Sequence, residues 1–99
     1  VEYGINHMLD ACEPLFIQQT ESLSSYQMNF LRALTDGVTT GFTRSEILNN
    51  YQLGTAANIS RLKKALTEKD LITLTAPKKL EISDPILALW LKRRVWRTW

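Results

Sequence analysis

The spacing of apolar positions changes along the chain, and each spacing predicts a structural element. Over residues 3–22 apolar residues recur every three or four positions, which indicates an amphipathic helix. Pro14 interrupts this pattern, so we expect a kink or a new helix start near Glu13. We therefore predict that residues 1–22 form a lead-in helix to a domain at 23–99. The predicted apolar stripe is Ile5, Met8, Leu9, Cys12, Leu15 and Phe16.

Two capping boxes mark the next helix starts, since each places Ser or Thr three residues before Glu or Gln. Ser24 with Gln27 predicts the start of a second helix, and Gly37 predicts its end. Thr43 with Glu46 predicts the start of a third, short helix.

A turn and a longer basic helix follow. Residues 52–54 predict the turn, in which Gly54 supplies the unusual backbone angle. Thr55 is predicted to cap a helix over 56–69, and Asp70 to end it where glycine is more usual. The residues expected to face the core are Ile59, Leu62 and Leu66.

The pattern then becomes alternating. Residues 72–75 and 80–82 alternate apolar and polar side chains, which predicts two short strands with Pro77 in the turn between them. Asp84 followed by proline predicts the start of a last helix over 85–97. The predicted fold is therefore mainly α with a small β-hairpin: a winged helix-turn-helix, preceded by an extra N-terminal helix and followed by a C-terminal helix.

Charge is unevenly distributed, although the net charge is only +2. Residues 41–99 hold eleven Lys or Arg against five Asp or Glu, whereas residues 1–40 hold one Arg against five acidic residues. The basic part also contains the helix-turn-helix, and a basic face on such a module is typical of nucleic-acid binding. Charge alone favours a solvated helix surface equally well.

The predicted helix 56–69 offers amide and cationic side chains on the side opposite its apolar stripe. We expect Asn58 to read base edges, and Arg61 and Lys64 to contact phosphates or guanine. Thr55 and neighbouring backbone N–H groups are expected to hold a phosphate. The full set of predicted contacts with double-stranded DNA is Thr55, Ala57, Asn58, Arg61, Lys64, Lys78 and Lys79.

The last helix is more apolar than one surface stripe requires. Three interpretations stay open: packing within the domain, a protein interface, or stacking on nucleic acid. A protein interface would serve a partner or a second copy of the chain in a homo-oligomer. Its candidate residues are Leu89, Trp90, Trp96 and Trp99.

The chain lacks patterns for catalysis, metals and membranes. It contains no phosphate-binding glycine motif, and one His with one Cys cannot form a zinc site, so we predict neither enzymatic activity nor a cofactor. It contains no apolar run long enough for a membrane span and no signal-peptide pattern. Since Cys12 is the single cysteine, we expect a cytoplasmic location.

Several segments together resemble a known family. The residues that carry the likeness are 53–66, 69–72, 83–86 and 89–92, with 23–28 and 31–37 upstream, so it spans roughly residues 20–95. They resemble the C-terminal winged-helix domain of archaeal-type, AAA-like P-loop ATPases. The resemblance implies DNA binding and a parent protein that hydrolyses ATP with Mg²⁺, whose ATPase domain would be a further partner. The chain starts at Val1 rather than Met, which is consistent with a piece cut from a larger protein.

Overall fold

The fold is a helical domain with one two-stranded hairpin, as predicted. A computed structural model describes residues 2–76 and 79–96. The final helix passes directly into a π-helical segment, Leu91–Val95, in which the Trp96 N–H donates to the Leu91 carbonyl at 2.9 Å. The elements in chain order are α1 (Glu2–Glu21), α2 (Ser25–Thr35), α3 (Ser45–Tyr51), α4 (Ala56–Glu68), β1 (Ile72–Ala76), β2 (Lys79–Ile82) and α5 (Pro85–Trp90).

The first helix differs from its prediction in two ways. It runs without a break through Pro14, so no new helix starts near Glu13. Its buried side is centred on Leu9 and Phe16, while Met8 and Leu15 are 38% and 54% exposed. The sequence could not separate these positions, because they all recur at helical spacing.

Two polar contacts and one aromatic contact join α1 to the C-terminal segment. The Trp90 indole N–H donates to Glu13 Oε1 at 2.9 Å, and the Trp90 ring lies 5.5 Å from the Phe16 ring. Arg94 Nη1 reaches Asp10 Oδ1 at 2.9 Å. The last helix therefore packs on the Phe16 side of α1, which leaves the neighbouring side exposed.

The capping predictions succeed at α2 and fail at α3. The Gln27 backbone N–H donates to Ser24 Oγ at 3.2 Å, and the Ser24 N–H donates to Gln27 Oε1 at 3.0 Å, which completes the predicted box. The Thr43–Glu46 box is absent: α3 begins one residue later with Arg44 as N-cap, and no side chain caps it. The cause is a tight turn in which the Arg44 N–H bonds the Gly41 carbonyl at 3.2 Å.

The end of α4 is as predicted. Asp70 adopts φ of 59°, the left-handed conformation that glycine usually fills. Its N–H bonds the Thr67 carbonyl, and the Leu71 N–H bonds the Leu66 carbonyl, both at 3.0 Å. This pair of bonds is a Schellman motif, and it directs the chain from α4 into β1.

The hairpin and the last helix complete the core. Strands β1 and β2 pair antiparallel, with Ile72 opposite Ile82 and Leu74 opposite Leu80. The Leu80 N–H also bonds the Thr39 carbonyl at 3.1 Å, which attaches β2 to the loop after α2. Asp84 caps α5 by accepting from the Ile86 N–H at 2.9 Å, as predicted. The largest fully buried side chains are Phe16, Phe30, Leu9, Leu31, Leu53, Ile59, Leu66, Leu87 and Leu91.

Candidate nucleic-acid interface

Helix α4 has a buried side and an outward side that are sharply divided. Ile59, Leu62 and Leu66 are buried in the core, as predicted. The helical period of 3.6 residues then places Ala57, Ser60, Arg61, Lys64 and Glu68 on the opposite side, and all five are exposed. The outward side therefore combines two small side chains, two cations and one carboxylate near its C-terminal end.

Three of the predicted DNA contacts share the outward side of α4, and a fourth lies at its N-cap position. Ala57, Arg61 and Lys64 follow at steps of four and three residues, so they share one stripe. Thr55 occupies the N-cap position, but its side chain makes no capping hydrogen bond, contrary to its predicted capping role. Its exposed hydroxyl lies at the start of the same helix.

Asn58 lies beside the outward stripe and not on it, and its predicted role as a base reader stays a prediction. It is half-buried, and its Nδ2 donates to the Leu53 carbonyl at 2.9 Å. This bond links the first turn of α4 to the residue that anchors the preceding turn, since the Leu53 side chain is fully buried. Asn58 therefore stabilises the helix-turn-helix through one of its two amide N–H donors.

The turn between α3 and α4 needs two residues in the left-handed conformation. Gly54 has φ of 88°, as predicted, but Gln52 also has a positive φ, at 54°. The Gln52 carbonyl accepts from Asn29 Nδ2 at 3.2 Å, so α2 supports the turn from outside. These contacts fix the direction in which α4 leaves the domain.

The hairpin contributes one described cation. Lys79 is exposed at the start of β2, and its Nζ lies 3.8 Å from Glu81 Oε1. This exposed pair contributes little stability and leaves the Lys79 ammonium accessible. Lys78, the other predicted contact at the wing, lies outside the described residues.

The four residues predicted as a protein interface differ in their surroundings. Trp90 is 4% exposed and bonded to Glu13, so it is a core residue and not the predicted interface residue. Trp96 is half-buried, with the Arg32 guanidinium carbon 5.7 Å from its ring centroid. Leu89 is half-buried and lines a groove between β2 and α5. Trp99 lies outside the described residues.

Two features near α4 were not predicted as sites. Tyr26 is 49% exposed on α2, beside Gly54. Lys63 lies on the flank of α4 with its Nζ 5.7 Å from the centroid of the Phe42 ring. Both depend on contacts between separate elements, for which the sequence carries no local signal.

A polar cleft of about 510 Å³ lies between α2 and α3. The Tyr51 hydroxyl donates to Asp36 Oδ2 at 3.0 Å across it. Burial, and then this bond and the charge of Asp36, raise the pKa of the Tyr51 hydroxyl above its ordinary value of 10.0. The side chains that line the cleft are Asn29, Arg32, Asp36, Asn50, Tyr51 and Gln52.

Comparison with protein families now agrees with the fold. A family model described as a probable winged helix domain matches residues 14–93, which is most of the chain. The chain therefore belongs to this family of winged helix domains. Comparisons with curated proteins and with solved structures gave no significant match.

The family places the chain in a fold class that generally binds DNA and is typically not enzymatic. Within the described residues, no group of three His, Cys, Asp or Glu is arranged to hold a metal ion. None of the helices in this part of the chain has the length and apolar character needed to cross a membrane.

Proposed function

We propose that the chain is a DNA-binding module that contacts a duplex through the outward side of α4. The observation that carries the proposal is the division of α4 into a buried apolar side and an exposed side with Arg61 and Lys64. The first side fixes the helix to the domain. The second presents cations to phosphates and to base edges.

The order of residues along α4 indicates how it meets DNA. The small side chains of Ala57 and Ser60 allow the N-terminal half to approach the floor of the major groove. Arg61 is positioned to bond guanine O6 and N7 or a phosphate, and Lys64, one turn further, to meet a phosphate. Glu68 and Asp70 follow at the other end, where their carboxylates repel the DNA backbone. The helix is therefore expected to enter with its N-terminal half.

A salt titration tests the proposal. Fluorescence anisotropy with a labelled mixed-sequence duplex should show affinity that falls steeply from about 50 to about 200 mM salt. Replacing Arg61 and Lys64 together by Ala should flatten the logarithmic slope by about two units, because each cation that neutralises a phosphate contributes close to one unit. Lys92→Ala removes one cation on another element and should leave the slope near the wild-type value. Absence of duplex binding even in low salt would refute the proposal.

A second candidate is protein interaction, and the groove between β2 and α5 favours it. The groove measures about 510 Å³, and its walls include Leu80, Ile82, Ile86 and Leu89. Exposed Met8 and Leu15 on α1 provide further apolar surface. The expected partners are an ATPase domain of the same protein or a second copy of the chain. Sedimentation of the wild type and of Leu89→Ser at several concentrations tests self-association. A wild type that stays monomeric at all concentrations would contradict the homo-oligomer.

A third part of the proposal concerns the parent protein. The sequence resemblance supports placing this domain in an AAA-like P-loop ATPase, in which a separate domain would bind ATP and Mg²⁺. No residue of the present chain is assigned to that chemistry. Detection of a phosphate-binding loop in the coding sequence upstream of Val1 tests this placement, and its absence throughout the parent gene would contradict it.

A further inference from the structure

Tyr26 lies where α2 meets the start of α4. A Cβ added to Gly54 would lie 3.5 Å from Tyr26 Cε1 and 3.7 Å from Tyr26 Cζ. The same added atom would lie 3.2 Å from Asn58 Nδ2. The Tyr26 ring and the Asn58 amide therefore both lie next to the space that a side chain at position 54 would fill, directly before the first turn of α4.

The Tyr26 hydroxyl is available for an external partner. The side chain is 49% exposed, and within the described residues its hydroxyl makes no hydrogen bond. Tyr51 differs, because its hydroxyl already donates to Asp36 at 3.0 Å. A tyrosine held by its ring, with a free hydroxyl at the surface, is well suited to donate to a ligand oxygen.

Tyr26 lies beside the N-terminal end of α4. Asn58, in the first turn of α4, and Arg61, on its outward side, lie three residues apart, which is about 4.5 Å along the helix axis. One of the two Asn58 amide hydrogens is already bonded to the Leu53 carbonyl. Tyr26 lies beside Gly54, directly before this turn, so its hydroxyl is a further donor at this end of α4.

We infer that Tyr26 is a further DNA-contacting residue, which donates its hydroxyl hydrogen to a backbone phosphate oxygen beside the groove that α4 occupies. This inference rests on the proposed function. A phosphate is the expected acceptor because Tyr26 lies on α2, beside α4 and not on its outward stripe. The DNA backbone, phosphates and sugars together, receives at least half of protein–DNA hydrogen bonds. A neutral donor replaces no counterion, so this contact should add affinity without adding salt dependence.

The test compares two tyrosines that lose the same atom. Tyr26→Phe removes only the hydroxyl and keeps the ring against Gly54, while Tyr51→Phe removes a hydroxyl that is bonded within the domain. Both variants and the wild type are titrated with the same labelled mixed-sequence duplex at several salt concentrations. Circular dichroism confirms that each is folded at the titration temperature.

We expect Tyr26→Phe to weaken duplex binding about fivefold, the scale of one hydrogen bond, with an unchanged salt slope. Tyr51→Phe should bind as the wild type does. Equal affinities for Tyr26→Phe and wild type would overturn this inference and leave the proposed function standing, and so would equal reductions of affinity in the two variants. If the wild type itself does not bind the duplex, the proposed function fails first and this inference falls with it.

Discussion

Replacing Asn58 by Ala separates a structural role from a base-reading role. The substitution removes the 2.9 Å bond from Asn58 Nδ2 to the Leu53 carbonyl, which is partly buried. Leaving the partly buried Leu53 carbonyl without its donor costs about 2 kcal/mol. Alanine offsets about 0.6 kcal/mol of this loss because its helix propensity is higher than that of asparagine. The expected loss in unfolding free energy is therefore about 1.5 kcal/mol, or about 6–12 °C in Tm for a domain of this size.

Urea unfolding followed by circular dichroism measures the stability change, and anisotropy measures DNA affinity where both proteins are fully folded. Asn58→Asp provides a matched variant, since it keeps the side-chain size and lacks the amide donor, and it should also be destabilised. Ser60→Ala is the control for helix propensity on the exposed side of α4 and should not lose stability. Unchanged stability with a tenfold loss of DNA affinity would refute the stabilising role of Asn58 and favour a direct contact of Asn58 with DNA.

Three further outcomes follow from the local geometry. Asp70→Gly should raise the unfolding free energy by about 0.5–1 kcal/mol in urea titrations, because φ of 59° strains any residue with a side chain; lower stability would contradict the assigned turn. Trp90→Phe should lower the unfolding free energy by about 1–2 kcal/mol, because Glu13 loses the indole donor while ring packing is largely kept. An unchanged unfolding free energy would show that the contact is not formed in solution. The raised pKa of Tyr51 means that the folded state favours the protonated hydroxyl. The contribution of this hydroxyl to the free energy of unfolding is therefore complete below pH 10 and is lost as pH rises through the folded-state pKa. Tyr51→Phe should therefore show a smaller loss of stability above pH 10 than the wild type, and parallel curves would argue against the bond to Asp36.

Local signals in the sequence were sufficient for most elements. Ser24 with Gln27 and Asp84 with its following proline predicted helix starts that the structure contains, because a cap requires only residues a few positions apart. The failed box at Thr43 shows the limit of such signals. Its residues have the right spacing, but the turn at Gly41 shifts the helix start by one position.

Features that depend on contacts between distant elements could not be predicted. The stripe of α1 held more apolar positions than one side can bury, and which of them are buried depends on how the C-terminal segment packs on α1. Asn58 looked like a base reader from its place in a basic helix, but its distance to the Leu53 carbonyl depends on the conformation of the turn. Tyr26 approaches Gly54 only when α2 packs beside the helix-turn-helix. The sequence thus predicted the outward cations of α4 and missed the residues that support and border them.

Amide chemical-shift mapping tests the central claim most directly. A labelled sample of the chain is titrated with a mixed-sequence duplex in low salt, and the shifts are compared between the two candidate surfaces. DNA binding through α4 predicts the largest shifts at Ala57, Ser60, Arg61 and Lys64. Shifts that concentrate at Ile86 and Leu89 while α4 stays unchanged, or no shifts at all, would contradict it.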